Sequence, residues 1–276
     1  MMNRTILGIA GITILAAACS GDDAPPTEEG NWMDKSCSQE TVGAPDLRRL
    51  TATELQNTIE DIFPELKSLW TRVQLGPDPV SAVGFSNDTS MLSMSEQTAK
   101  DWLATAEDVA TALTEQSVLT QVLPCSAASA NGDCAESFIT TYGRRLFHRD
   151  LTQGEVQRYA DLHVSVSSKS NFANGIKWVL VSMLQSPHAT YRPEIGAQDG
   201  ARRVLKPHEV ATSLAYTYAG TAPSEELLAK AESGQLDTAA QRTAAARALL
   251  DTPRGKQTVH RFTDEWLDYS RVTSSA

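Results

Sequence analysis

Apolar residues recur at helical spacing along almost the whole chain, while runs that alternate apolar with polar are nearly absent. That contrast limits the choice of fold more than any other feature. In LTATELQNTIEDIF, Thr51 and Glu54 form a capping box, with Leu55, Ile59 and Ile62 behind it on one face. A second box, Thr152 and Glu155, precedes Val156, Tyr159 and Ala160. Helical spacing also joins Trp102, Ala106, Val109 and Leu113, then Phe138, Tyr142 and Leu146. The same holds for Ile176, Val179, Leu180, Met183 and Leu184, for Val210, Leu214 and Tyr218, and for Val259, Phe262 and Trp266. PDPVSAVGF is the best strand candidate and lies between turn residues. The expectation is an all-α protein, an irregular bundle of about nine helices with little or no sheet.

The N-terminus carries a different signal. A short cationic start leads into Ile6 to Ala18, an apolar run too short for a bilayer core, which needs about 20 residues. It fits the apolar core of an export signal. Three small residues, Ala16 to Ala18, directly precede Cys19. Cleavage there would leave Cys19 as the N-terminus and the site of lipid attachment, as in a bacterial lipoprotein. Ordinary secretion with cleavage after Ala-x-Ala is the alternative. Each buried methylene of an acyl chain contributes about 0.8 kcal/mol, so several chains would hold the protein on a membrane without a spanning helix. The expected location is the bacterial cell envelope, at an outer membrane facing the periplasm or the cell surface. The signal peptide takes residues 1–18. Residues 19–46, acidic, rich in proline and poor in large apolar side chains, form a disordered tether.

The remainder divides into an N-terminal helical domain at 47–120, a disulfide loop with a helical pair at 121–170, and a C-terminal helical domain at 171–276. The chain has 24 basic and 34 acidic residues and a net charge of −10, which argues against nucleic acid and against anionic lipid headgroups. Cys125 and Cys134 bracket the small-residue loop CSAASANGDC and are expected to form a disulfide in an exported protein. Closing that loop contributes roughly 2.7 kcal/mol by chain entropy. Cys37 is left without an assigned partner.

Other segments bear on chemistry. In MLQSPHATYR, Pro187 disfavours helix at Ser186, so the helix is expected to end near Gln185. His188 and Arg192 would then lie beside unpaired helix carbonyls. GRRLFHRD is a dense cationic stretch. Arg144 and Arg145, with Arg192, are candidates for binding an anion or a partner. The competing view pairs Arg144 and Arg145 with nearby carboxylates and sets His148 and Arg149 at a helix C-terminus. His208 and Glu209 fall in the first turn of a helix, where Glu209 suits the dipole. His148, His188 and His208 are the weak candidates for a metal site assembled across helices. No CxxCH attaches a haem, and no zincin, phosphate-loop, nucleophile-elbow or dinucleotide motif is present. No cofactor is called for.

LRRLTATELQNTIEDIF, GFSNDTSMLSMSEQTAKDWLATAEDVA, GRRLFHRDLTQGE, LQSPHATYR, HEVATSLAYTYAG-x-x-P and FTDEWL occur in that order. Together they resemble a family of large exported bacterial proteins built from consecutive domains of unknown function, the fifteen-eighty-seven, fifteen-ninety-five and fifteen-ninety-two set. That family is best known from planctomycetes and myxobacteria, beside or fused to c-type cytochrome domains. The chain departs from the family pattern at His148, Asp150, Ala189, Thr190, Ser213, Thr217, Ala219 and Ser224. It also stops at Ala276, where relatives continue. The resemblance therefore implies a divergent, C-terminally shortened member. Its implied role is a non-catalytic binding or scaffold component of an envelope assembly, with an envelope protein or c-type cytochrome as partner. The alternative is a metal- or cofactor-dependent envelope enzyme, an oxidoreductase or polymer-degrading component.

Overall fold

The structure is a computed structural model that describes residues 47–71, 75–81, 84–200 and 202–268. The expected signal peptide, Cys19, the tether and Cys37 lie outside the described residues.

Strand β1 (Arg48–Arg49) leads into helix α1 (Ala52–Ile62) and a 3-10 helix (Pro64–Thr71). Helices α2 (Glu96–Leu113), α3 (Gln116–Val122), α4 (Cys125–Ala128) and α5 (Gly132–Phe147) follow. Next come α6 (Gln153–Ser167), α7 (Phe172–Leu184) and the one-turn α8 (Pro187–Thr190). Three short strands, β2 (Tyr191–Arg192), β3 (Ala197–Asp199) and β4 (Arg202–Val204), precede α9 (Pro207–Ala219), α10 (Glu225–Glu232), α11 (Ala239–Leu250) and α12 (Pro253–Leu267). The protein is all-α apart from two small antiparallel pairs, β1 with β2 and β3 with β4. Nine of the described α-helices run eight residues or more. Short α3, α4, α8 and the 3-10 helix come in addition to the expected nine. They are too brief to show a period of their own. No described residue of PDPVSAVGF is in a strand. Strands β1 and β2 instead form where distant segments meet, while β3 and β4 make a local hairpin.

Both capping boxes are formed. Thr51 Oγ1 accepts from Glu54 N at 3.1 Å while Glu54 Oε2 accepts from Thr51 N at 2.9 Å. Thr152 and Glu155 do the same at 3.3 and 2.8 Å. Helix α7 ends at Leu184 with Gln185 as its cap, as the proline requires. The chain then starts a fresh turn instead of leaving the helix. Ser186 Oγ accepts from His188 N at 3.3 Å, and Pro187 takes the first helical position, where no amide donor is needed.

Burial follows the helical stripes. One large cluster runs from Leu50 through α1, α2, α5 and α7 and ends at Tyr216. Phe63, Phe138, Ile176 and Leu180 are fully enclosed within it. A smaller cluster joins Ala211 and Ala215 of α9 to Leu227, Leu228 and Ala231 of α10. Helix α6 lies close on α7 because position 175 is glycine: a Cβ there would meet His163 Cδ2 at 2.5 Å. The Cys125–Cys134 disulfide is present and ties α4 to the first turn of α5. Among the described residues no helix is long and apolar enough to cross a membrane.

Helix α12 departs from the expected burial. Val259, Phe262 and Trp266 share one face, as their spacing requires, but that face is largely open, with Trp266 66 % exposed. Phe85 stacks on Phe262 at 5.8 Å and Phe262 on Trp266 at 6.0 Å, which makes a short aromatic ladder at the surface.

Candidate anion-binding site

The three candidate arginines reach different environments. Arg144 on α5 is mostly enclosed and pairs with Asp150 at 2.6 Å, Glu232 at 2.8 Å and Glu225 at 3.0 Å. Burial works against its charge, but the bonds to Glu225, Asp150 and Glu232 prevail and hold the guanidinium above its ordinary pKa. Arg145 finds carbonyls instead of carboxylates. It donates to Ile62 O and Asp61 O, both at 2.9 Å, and so caps the end of α1. These two arginines border a cavity of about 750 Å³ with Arg254, whose partners are Glu60 and Asp61 at 2.8 Å each. Every cation there has a partner within the protein.

Arg192 behaves otherwise. It lies in β2 directly opposite Arg48 of β1, while Arg49 faces Tyr191. Residues directly opposite in an antiparallel pair point to the same face. Arg49, on the other face, is fully used. It binds Asp78 at 2.8 Å, Leu50 O at 3.0 Å and Leu92 O at 3.3 Å, and lies 5.0 Å over the Trp102 ring. Arg192 donates Nη2 to Glu194 and Thr217 and stacks over Tyr216 at 5.6 Å, but its Nε is buried without a partner. Arg48 has no side-chain partner among the described residues. Two like charges set opposite one another destabilise a pairing.

Arg48 and Arg192 line a cavity of about 380 Å³ together with Arg261 of α12. Arg261 likewise has no hydrogen bond or ion pair among the described residues. Helix α12 is aimed here by its start: Thr252 Oγ1 accepts from Gly255 N at 3.0 Å, and Pro253 takes the first helical position. Two carboxylates also border the cavity, and both are engaged. Glu54 accepts from Thr51 N, and Glu265 accepts from Ser86 Oγ at 2.5 Å. Phe85, Val259 and Phe262 supply an apolar wall, and Tyr216 closes one side. The arrangement provides guanidinium donors beside a flat apolar surface, which suits a ligand that is anionic at one end.

The histidines are structural in their surroundings. His148 caps α5 in a left-handed conformation, with φ of 58°, and is 1 % exposed. It was expected to favour the helix end as a cation. Burial, then the charges of His208 and Arg192, instead push its pKa down to about 3, so the ring is neutral. Its Nε2 lies 3.3 Å from the Tyr216 hydroxyl, which also meets Thr58 Oγ1 at 2.9 Å. His188 was expected beside open helix carbonyls. It rests instead on Phe147, 3.3 Å from Arg149 Nη2 and 3.6 Å from Glu155 Oε1. Burial and Arg149 lower its pKa, while Arg149 itself is held by a two-pronged bond to Glu155. Arg192 does not serve helix carbonyls either. Glu209 does act in the first turn of α9, accepting from Lys206 N at 2.7 Å and from Gly196 N at 3.1 Å. His208 beside it is half-buried, with its pKa lowered first by burial. His148, His188 and His208 are not gathered into one ligand set. Among the described residues no group of three or more His, Cys, Asp or Glu side chains could hold a metal ion.

Arg48 and Arg261 were missed as site residues. Their one sequence-level trace is the position of Arg261 beside Phe262 on an amphipathic helix. The pairing of Arg48 with Arg192 has no local signal at all.

Residues 48–115 match PSD3, a protein of unknown function (DUF1587). Residues 134–194 match PSD5, a protein of unknown function (DUF1595), and residues 205–276 match PSD4, a protein of unknown function (DUF1592). No curated protein and no solved structure matches the chain.

Proposed function

The chain belongs to the family in which the PSD3, PSD5 and PSD4 domains of unknown function follow one another, and from that premise we propose that it is a binding component of the bacterial cell envelope. In this reading, lipid at Cys19 holds it to a membrane and Arg48, Arg192 and Arg261 recognise an oxyanion. The observation that carries the binding role is the cross-strand pair Arg48–Arg192 on one face of a cavity, where Arg192 has Glu194 at 3.2 Å and Arg48 has no counter-charge among the described residues. A protein with ten excess negative charges had acidic side chains to spare for these positions. It pairs Arg49, Arg144, Arg149 and Arg254 but leaves Arg48 and Arg261 open. An incoming anion would relieve the repulsion between Arg48 and Arg192. The family resemblance implies a c-type cytochrome as partner, and the acidic remainder of the surface would suit a basic one.

Two measurements test this. Cys19→Ala should move the full-length protein from the membrane fraction to the soluble fraction, and unchanged fractionation refutes the anchor. Inorganic phosphate should raise the melting temperature of the full-length protein above that in chloride of equal ionic strength. The rise should vanish in Arg261→Ala. A melting temperature blind to phosphate removes the anion site.

A further inference from the structure

We propose that the ligand of the Arg48, Arg192 and Arg261 cavity is an aromatic oxyanion, a planar ring bearing a carboxylate or a phosphate. This rests on the reading of the cavity as an anion site and goes beyond it by naming what carries the charge. A volume of about 380 Å³ lies at the small end of ligand cavities, enough for one ring with its head group. The cationic and apolar halves of the site are adjacent by construction. Arg261 and Phe262 are consecutive on α12, and both line the cavity. Phe262 is stacked on Phe85 with the two planes 20° apart, yet remains 53 % exposed. Trp266 stacks on Phe262 as well, so a ring in the cavity would lie against the Phe262 edge and extend the stack from its Phe85 end.

The head group is specified by what the guanidinium groups lack. Arg192 is more than nine-tenths buried, and its Nε has no acceptor. Arg48, opposite it, has no counter-charge. A neutral ring would leave both wants unmet. A bare inorganic anion would meet them but leave Phe85 and Phe262 in water. Carboxylate and phosphate share the planar or forked acceptor geometry that guanidinium binds with two parallel bonds.

The test is isothermal titration of the full-length protein in detergent, at constant ionic strength, with phenyl phosphate, benzoate, inorganic phosphate and phenol. Phenyl phosphate or benzoate should bind about tenfold tighter than inorganic phosphate, the increment of one added aromatic contact with its buried area. The tighter of the two identifies the head group. Arg261→Ala should weaken inorganic phosphate and the aromatic anions alike. Phe262→Leu, at an exposed position, should bring the aromatic anion down to the affinity of inorganic phosphate and leave the latter unchanged. Equal binding of phenyl phosphate and inorganic phosphate overturns the aromatic assignment while the anion site stands. Phenol binding as well as phenyl phosphate, or no binding by any of the four, overturns both.

Discussion

Replacing His148 with asparagine should flatten the acid limb of the protein's stability curve. The imidazole is enclosed by α5 and α9, with its ring 5.6 Å from that of Tyr216 and its Nδ1 buried without a partner. Its pKa is pushed down from 6.5 to about 3, first by burial, then by His208 and Arg192. In the unfolded chain the same ring titrates near its ordinary value of about 6.5. As pH falls below that value, the unfolded state takes up a proton that the folded state refuses. The contribution of the neutral ring is therefore complete above about pH 6.5 and is lost progressively as pH falls toward 3. At roughly 1.36 kcal/mol per pH unit, the loss at about pH 5 is about 2 kcal/mol. Unfolded carboxylates begin to titrate near that pH, but they are common to both proteins and cancel. Asparagine tolerates the left-handed backbone at this position, so the variant removes the titration without forcing the chain to rearrange. Urea unfolding of both proteins at about pH 7.5 and about pH 5 gives the two differences. The wild type should lose about 2 kcal/mol more than His148→Asn between them. His163, His188 and His208, whose pKa values are also lowered, are common to both proteins and cancel. Parallel losses in the two proteins would show that His148 takes up its proton in the fold as readily as outside it, and the argument from burial would fail.

Gly175→Ala should destabilise by about 1–3 kcal/mol in denaturant unfolding, since its Cβ would press on His163 where α6 crosses α7. The double variant Cys125→Ser and Cys134→Ser should lower unfolding free energy by roughly 2.7 kcal/mol, and retained thermal stability would show that the loop is already rigid in the unfolded chain. Arg254→Ala should cost about 1–3 kcal/mol, because Glu60 and Asp61 lose a shared, largely enclosed cation. A loss no larger than that of Lys100→Ala, whose pair with Glu96 is exposed, would show that the enclosure adds nothing.

The parts of the fold legible in the sequence are those fixed by neighbours in the chain. Thr51 with Glu54, and Thr152 with Glu155, are capping boxes because three residues separate the partners. Pro187 stops α7 by acting on the residue before it. The disulfide closes across a short loop. What the sequence concealed depends on contacts between distant segments. The Val259, Phe262 and Trp266 stripe has the period of a core helix, but period says only that residues share a face, not that anything covers it. His148 looks like a surface cation at a helix end. Its neutrality comes first from burial, then from His208 and Arg192, neither of them near it in sequence. The cavity suffers the same blindness, because Arg48 and Arg192 meet through a two-residue pairing that no propensity scale would report, and Arg261 joins them from a distant helix.

The same long-range contacts explain why three matched segments behave as one body. The described residues form a single compact unit, although the matches divide the chain at 48–115, 134–194 and 205–276. Each pair of segments is joined by an arginine. Arg145 of the second caps the end of α1 in the first. Arg254 of the third pairs with Glu60 and Asp61 of the first. Arg144 of the second pairs with Glu225 and Glu232 of the third. At the centre, the Tyr216 hydroxyl of the third segment bonds to Thr58 of the first and His148 of the second. The anion cavity belongs to the same junction, since Arg48, Arg192 and Arg261 come one from each segment. The family boundaries therefore mark stretches of sequence, and the candidate site is built where the three meet.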